Sequence, residues 1–354
     1  MTASVPSVAG VLSVDQVVAT AASIAAVQLP SGAVPWSAGG HTDPWDHVQS
    51  AMALAVGGRV DDARRAYEWS RTHQRPDGSW AIRYQDDHVD DPHTDANFCA
   101  YLATGVWHHW TLTGDRAFVR RMWPAVTRGV DAALGLQRAD GAVAWAAADG
   151  QVLPEALVTG NASIHLSLRC AVALADLVGE SRPDWELAAG RLRHAIDGHP
   201  ERFEPKPHHA MDWYYPVLGG ALPPDVAGAV LDARWDEFVV DGLGVRCVST
   251  NPWVTGAETC ELVLALVVVG RDDDARRVLA DVQHLREDDG SYWTGLVFSD
   301  GKRWPVERTT WTAATVVLAA DALSRTTPAH GLFRGADLPP CDQKATHPCL
   351  CPTP

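Results

Sequence analysis

The sequence predicts an all-α protein, an (α/α)6 barrel built from six helical hairpins with inner and outer helix rings. Three observations lead there. Apolar residues recur at helical spacing along nearly the whole chain, and alternating β-branched runs are few. An Ala- and Arg-rich helix that runs to Gln, then Asp-Gly, then Trp occurs three times: at Gln74, Asp77-Gly78 and Trp80; at Gln137, Asp140-Gly141 and Trp145; and at Gln283, Asp289-Gly290 and Trp293. Self-similarity on this scale marks a helical repeat architecture. Finally, the connections between helices alternate in length.

In chain order, helices are expected at about 14–28, 44–57, 60–74, 96–113, 115–138, 161–179, 184–197, 211–221, 224–236, 256–269, 272–285 and 309–324. Asp43 before Pro44 is a good N-cap with proline at the first helical position. Asp95 can cap the helix that starts near Ala96, and Asn161 the one after the third long loop. Links out of even helices are short: Gly57-Gly58-Arg59, Gly114, Glu180 to Pro183, Pro223 and Gly270-Arg271. Links into even helices, at 29–43, 75–95, 139–160, 198–210, 237–255 and 286–308, are long and polar. Long loops in compact domains usually carry function. Odd helices such as Val60–Gln74 are amphipathic and charged, as an outer layer requires; even ones such as Leu262–Val269 are uniformly apolar and suit a buried inner ring. Closing the pairs into a ring gathers all six long loops on one face. An open α-solenoid is the alternative. One domain is expected over residues 1–327, with a flexible Pro- and Cys-containing tail at 328–354.

Composition narrows the function. A net charge of −15 argues against nucleic acid or an anionic membrane as partner. No run approaches the roughly 18 apolar residues of a membrane span, and no basic segment followed by an apolar core marks a secretory signal. A cytoplasmic protein acting on a small molecule is expected, its oligomeric state left open. Cys99, Cys170 and Cys260 read as small buried hydrophobes, while Cys341, Cys349 and Cys351 stand near His347 in the tail, a weak metal-like spacing.

Many of the 15 tryptophans sit in loop-like stretches, among them Trp36, Trp45, Trp213, Trp253 and Trp293. Aromatic platforms in polar loops suit the apolar faces of sugars or an apolar ligand, though each can equally anchor its loop to the core. His41 has no structural duty visible beside Asp43. The acidic stretch from Tyr84 to Asp95 is either a solvated loop, a cation site, or a source of carboxylates for substrate hydroxyls. His108 and His109 face different sides of one helix and read as packing. The segment Lys206 to Pro216 is the densest mixture of ionisable and aromatic groups, with His209, Asp212 and Trp213 its candidates. Glu258 and Glu261 open an apolar inner helix, where they complement the helix dipole; a carboxyl against apolar walls, as at Glu261, also gains the raised pKa of a general acid. Glu307-Arg308 repeats this arrangement at the last inner helix.

The run Thr113-Gly114-Asp115-Arg116-Ala117-Phe118, Met122-Trp123-Pro124, Gln137 and Asp140-Gly141 resembles the helix-to-loop phrase of six-hairpin glycosidases, the (α/α)6-barrel enzymes related to glucoamylase. Trp36 to Trp45 resembles the loop that opens an inner helix in such barrels. The Gln, Asp-Gly, Trp phrase is also similar to that of bacterial proteins labelled prenyltransferase-like. The resemblance covers roughly residues 14–330. The chain lacks the Asp-x-Asp-Asp proton donor of class II terpene cyclases and the Asp-x-Cys zinc pair of protein prenyltransferases, whose nearest match is Glu258-Thr259-Cys260.

This resemblance implies a carbohydrate-active enzyme, a glycoside hydrolase acting on a short sugar or glycoconjugate without cofactor or metal. Such chemistry needs two carboxyls flanking the bond, about 6.5–9.5 Å apart for inversion or about 5–5.5 Å for retention. The candidates are Asp43, Asp95, Glu258 and Glu307, each from a different loop around the ring; Trp36, His41, Trp45, Tyr84, His209, Asp212, Trp213, Trp253, Glu261, Trp293 and Arg308 are the expected substrate contacts. Terpenoid or prenyl processing, a His-based sugar epimerase or lyase, and a non-catalytic binding barrel are the competing readings.

Overall fold

A computed structural model describes residues 4–339. Twelve helical stretches alternate between two rings. The outer members are Val14–Val27, Val60–Thr72, Arg116–Leu134, Pro183–Gly198, Pro224–Ala233 and Asp272–Asp281. The inner members are Pro44–Val56, Leu102–Thr113 (preceded by the short helix Ala96–Ala100), Val158–Val178, Ala210–Leu218, Gly256–Val268 and Thr310–Ser324. Each inner helix packs on the next, and Thr310–Ser324 returns to Pro44–Val56, so the ring closes. The open solenoid is thereby replaced by a barrel. Burial follows the expected division: from Asp46 to Val56 every residue of the first inner helix is buried, whereas Val60–Thr72 buries only Ala63, Ala66, Tyr67, Trp69 and Ser70. One apolar core runs through both rings. Among the described residues no helix is long and apolar enough to cross a membrane.

The repeated phrase acts as a clasp between successive outer helices. Gln74 Nε2 donates to Gly78 O at 2.9 Å and to Ala125 O on the following outer helix at 2.8 Å. Gln137 does the same with Gly141 O and Ala188 O. A further copy that the sequence pattern did not reveal, with Ser31-Gly32 in place of Asp-Gly and Trp36 at the spacing of Trp145, joins Gln28 to Gly32 O and Asp62 O. Gly78 (φ +89°) lies so close to that neighbour that a Cβ would meet Arg128 O at 2.4 Å. Gly290 makes the corresponding approach to Ala19 on the first outer helix, completing the outer ring, although Gln283 donates instead within its own helix to Leu279 O.

Several details depart from expectation. Helix Val158–Val178 starts before Asn161, which is no cap: its amide holds Val143 N, Val143 O and Leu157 O. The long loops carry small sheets, the largest ordered 302–303, 295–297, 253–255, 244–246, 239–240. Strands of two to four residues are too short to show a period of two, but their turns are legible, since Asp86-Asp87 and Asp149-Gly150 both adopt the paired positive φ of a tight hairpin. Three carboxylates of the acidic loop have protein partners: Asp87 accepts from Trp69 Nε1 and Ser31 Oγ, Asp90 pairs with Arg83, and Asp91 with His93. Beyond residue 327 the chain does not leave the barrel at once. Ala329, Leu332, Phe333 and Leu338 are buried, and Thr327 is tied to Asp321 by two hydrogen bonds. Cys341, His347, Cys349 and Cys351 lie outside the described residues, whereas Cys99, Cys170 and Cys260 are free and buried.

Candidate active site

Because inner helices run away from the long loops, their first turns converge on the loop face. Asp43 caps the first of them, its Oδ1 accepting from Trp45 N at 3.0 Å and Asp46 N at 2.9 Å. Asp46 follows within the first turn, and the Asp43 and Asp46 carboxyls share a hydrogen bond. On the inner helix next but one, Gly256–Val268, Glu261 takes hydrogen bonds from Tyr214 Oη (2.6 Å), Tyr215 Oη (2.9 Å) and Gln49 Nε2 (3.4 Å), and Gln49 also reaches Tyr101 Oη. Glu258 lies one turn nearer the mouth, 4% exposed, with Oε2 unpartnered and the Cys247 thiol within hydrogen-bonding reach of its carboxyl. Asp95 caps Ala96–Ala100 through Asn97 N and Phe98 N.

Crowding these acids in a dry site changes their protonation. Burial raises Asp46 well above the ordinary carboxylate range, and the charges of Asp43, Glu261 and Glu258 push the same way. Asp43 is also raised by burial, less so because Asp46 and backbone N–H groups favour its ionised form. Burial lifts Asp95 and Glu261 to about 7. Burial and neighbouring charge thus push Asp46 toward its protonated form inside a cluster of acids, the kind of environment on which general acid catalysis draws.

Several buried polar atoms at these first turns lack partners. Trp45 Nε1, Gln49 Oε1, both amide atoms of Asn97, Thr255 Oγ1 and Glu258 Oε2 are buried without a protein partner. Native proteins pair nearly all such groups, so a cluster of them marks where a polar ligand or water completes the bonding. Trp45 forms an aromatic wall with Phe98, Tyr101 and Tyr215 at ring separations of 5.6–6.2 Å.

No family model matches the chain. It is 57% identical over 350 residues to the MMP endo-(1,4)-3-O-methyl-alpha-D-mannosidase of Mycolicibacterium hassiacum, an alignment covering 99% of this chain and 97% of that enzyme. The chain belongs to that enzyme's family and is a glycoside hydrolase. Its architecture is similar to that of a wild-type glycosidase (TM-score 0.71, 18% identity, 90% of this chain and 98% of the other). It also resembles a rhamnosidase from Klebsiella oxytoca with rhamnose bound (0.62, 14%, 90% and 65%) and a D-mannose isomerase (0.65, 9%, 86% and 96%). At such identities the likeness concerns the fold.

The glycoside hydrolase brings Asp43, Asp95, Glu258, Glu261 and Trp45 to one mouth. Trp36, His41 and Glu307 form its lip: Trp36 Nε1 donates to Glu307 Oε1 at 2.8 Å, and Trp36 stacks on His41 at 5.9 Å and tilts against Trp311 at 5.6 Å. Other expected contacts lie elsewhere. Arg308 pairs with Asp289 at 3.0 Å over the Trp293 ring, in a groove against the first outer helix, and Trp293 Nε1 is held by Glu287. Tyr84 is buried beneath Trp69, its hydroxyl accepting from Ala81 N. Asp212 accepts from Thr159 and lines a separate groove with Ile196, Phe203 and Leu222; Trp213 packs flat on Phe238, and His209 is exposed at that helix's start. Trp253 belongs to the loop-face sheet, bonded to Trp304 O. These side chains satisfy local partners, and sequence spacing cannot separate such anchors from ligand contacts. The residues that sequence reasoning passed over are Asp46, Gln49, Asn97, Tyr101, Tyr214 and Tyr215. The available signal was their polarity on faces otherwise committed to the core.

Glu261 carries a measurable cost. Its pKa is about 7 in the fold against 4.5 for the free side chain, so between those values the native state holds a proton that the unfolded chain has released. Stability from this group declines as pH rises through that window and is level above it, a cost on the order of 3 kcal/mol at pH 8. Glu261→Gln is therefore expected to melt above the wild type at pH 8, with the gap narrowing toward pH 5. Thermal unfolding at both values tests this, and a variant that melts lower at pH 8 refutes it.

Proposed function

We propose that this glycoside hydrolase cleaves internal bonds of α-(1→4)-linked mannoside chains bearing 3-O-methyl groups, with Asp46 as general acid and Glu258 as the opposing carboxylate. One observation carries the reading: the buried Asp46 carboxyl, pushed toward its protonated form, lies within electrostatic reach of Glu258, a buried glutamate with one oxygen left unpaired. Asp46 gives its proton to the glycosidic oxygen as that bond breaks, while a water oxygen bonds to the anomeric carbon and passes its proton to Glu258. Asp43 orients Asp46 through their shared hydrogen bond and adds to the charge that keeps it protonated. Trp45 offers a ring to the apolar face of the sugar. The name of the relative from Mycolicibacterium hassiacum supports the choice of sugar, and the carboxyl-lined mouth favours a polyhydroxylated substrate over a prenyl chain.

The test is incubation with an α-(1→4)-linked 3-O-methylmannose oligosaccharide and mass analysis of the products. Shorter oligosaccharides from internal cleavage are expected. An intact substrate, or monosaccharides released only from a chain end, would falsify the assignment.

A further inference from the structure

Asn97 stands out among the buried polar groups. It is 3% exposed, and neither Nδ2 nor Oδ1 has a partner. Its backbone is fixed, because Asp95 Oδ1 accepts from Asn97 N at 2.8 Å. Its side chain lies one helical turn before Tyr101, on the same face. Tyr101 points to the barrel interior, where its ring meets Trp45 and its hydroxyl accepts from Gln49. Asn97 thus belongs to the first turn of the helix that Asp95 caps, and Asp95 is close enough to feel the charge of Asp43 at the carboxyl mouth. Gly160, on the neighbouring inner helix, lies against Asn97 with no side chain to reach the amide. Asn161 on that helix provides the contrast: all its amide hydrogen bonds go to backbone groups that hold a loop in place. A structural asparagine in this fold is a satisfied one, and leaving an amide buried and unsatisfied disfavours folding unless a ligand completes it.

Resting on the substrate reading above, we propose that Asn97 is a specificity-determining residue whose amide reads the O2/O3 pair of one mannose ring. The chemistry of the chain selects that pair. In a (1→4)-linked 3-O-methyl mannoside, O4 belongs to the linkage and O3 is an ether, so neither can donate, while O2 keeps its hydroxyl. The amide is complementary: Nδ2–H donates to the ether oxygen at O3, and Oδ1 accepts from the neighbouring O2 hydroxyl. Two hydrogen bonds from one planar group orient the ring as well as hold it.

Asn97→Ala is tested on an α-(1→4)-linked 3-O-methylmannose tetrasaccharide and on its 2-deoxy analogue, together with thermal unfolding. On the parent sugar kcat/KM is expected to fall at least about tenfold, and on the 2-deoxy sugar less than about threefold, since the partner of Oδ1 is already missing. The melting temperature is expected to hold or rise, because the truncated group makes no bond within the protein. Equal losses on the two sugars, an unchanged kcat/KM on the parent, or a melting temperature lower by more than about 3 °C each overturn the assignment. A wild-type enzyme inert toward the parent sugar instead overturns the substrate reading, an outcome distinct from a wild type that cleaves it and a variant that cleaves it equally well.

Discussion

Asp46→Asn is expected to lower kcat by about 10³-fold, the scale of losing a positioned general acid, while the protein still folds and binds substrate. The asparagine preserves shape and removes only the proton to be donated. The wild-type pH profile carries the same information, because activity requires protonated Asp46 and must fall as pH rises through its elevated pKa. The charge of Asp43 and the hydrogen bond between the two are among the causes that raise it, so Asp43→Asn is expected to move the basic limb to lower pH. Steady-state kinetics across pH on both variants provide the check. An Asp46→Asn enzyme within tenfold of wild type removes Asp46 from the acid role, and an unmoved limb in Asp43→Asn removes the coupling.

The second large effect is structural. Gly78→Ala is expected to cost about 3 kcal/mol, combining the strain of a left-handed conformation with a backbone clash. Gly78 has φ +89°, and a Cβ there would lie 2.4 Å from Arg128 O, a neighbour that is backbone and cannot swing aside. For a chain of this size that corresponds to a melting temperature lower by roughly 5 °C. Gly39→Ala is the control: its φ is +73°, with nothing within 4 Å of the added carbon. It bears the conformational strain alone and should lose about 1 kcal/mol. Equal losses at the two positions would show that the clasp between outer helices contributes nothing.

The two predictions differ in how far the sequence foretold them. Gly78 belongs to a phrase that repeats along the chain, and the helices around it were placed to within a few residues. Asp46 lies three residues from Asp43, and nothing in the sequence separates it from an ordinary acid that complements the helix dipole in a first turn. Trp213, Tyr84 and Arg308 read in sequence as substrate contacts, yet they are anchored on Phe238, beneath Trp69 and to Asp289. An aromatic or charged side chain in a polar loop reads the same whether it holds the loop or a ligand.

By itself the sequence determined the helices, their division into two rings, the alternation that sends every long loop to one face, and the glycosidase resemblance, because periodicity, caps and turn residues are local and each is written within a few residues. Only the tertiary structure decided which carboxyls meet. Gln49 and Glu261 stand 212 positions apart and are joined between inner helices at 3.4 Å. That encounter exists once the ring has closed, and with it come the burial and mutual repulsion that push Asp46 toward its protonated form, and the enclosure that leaves Glu258 Oε2 and the Asn97 amide without partners. Desolvation and charge coupling depend on distance in space, to which spacing along the chain is blind.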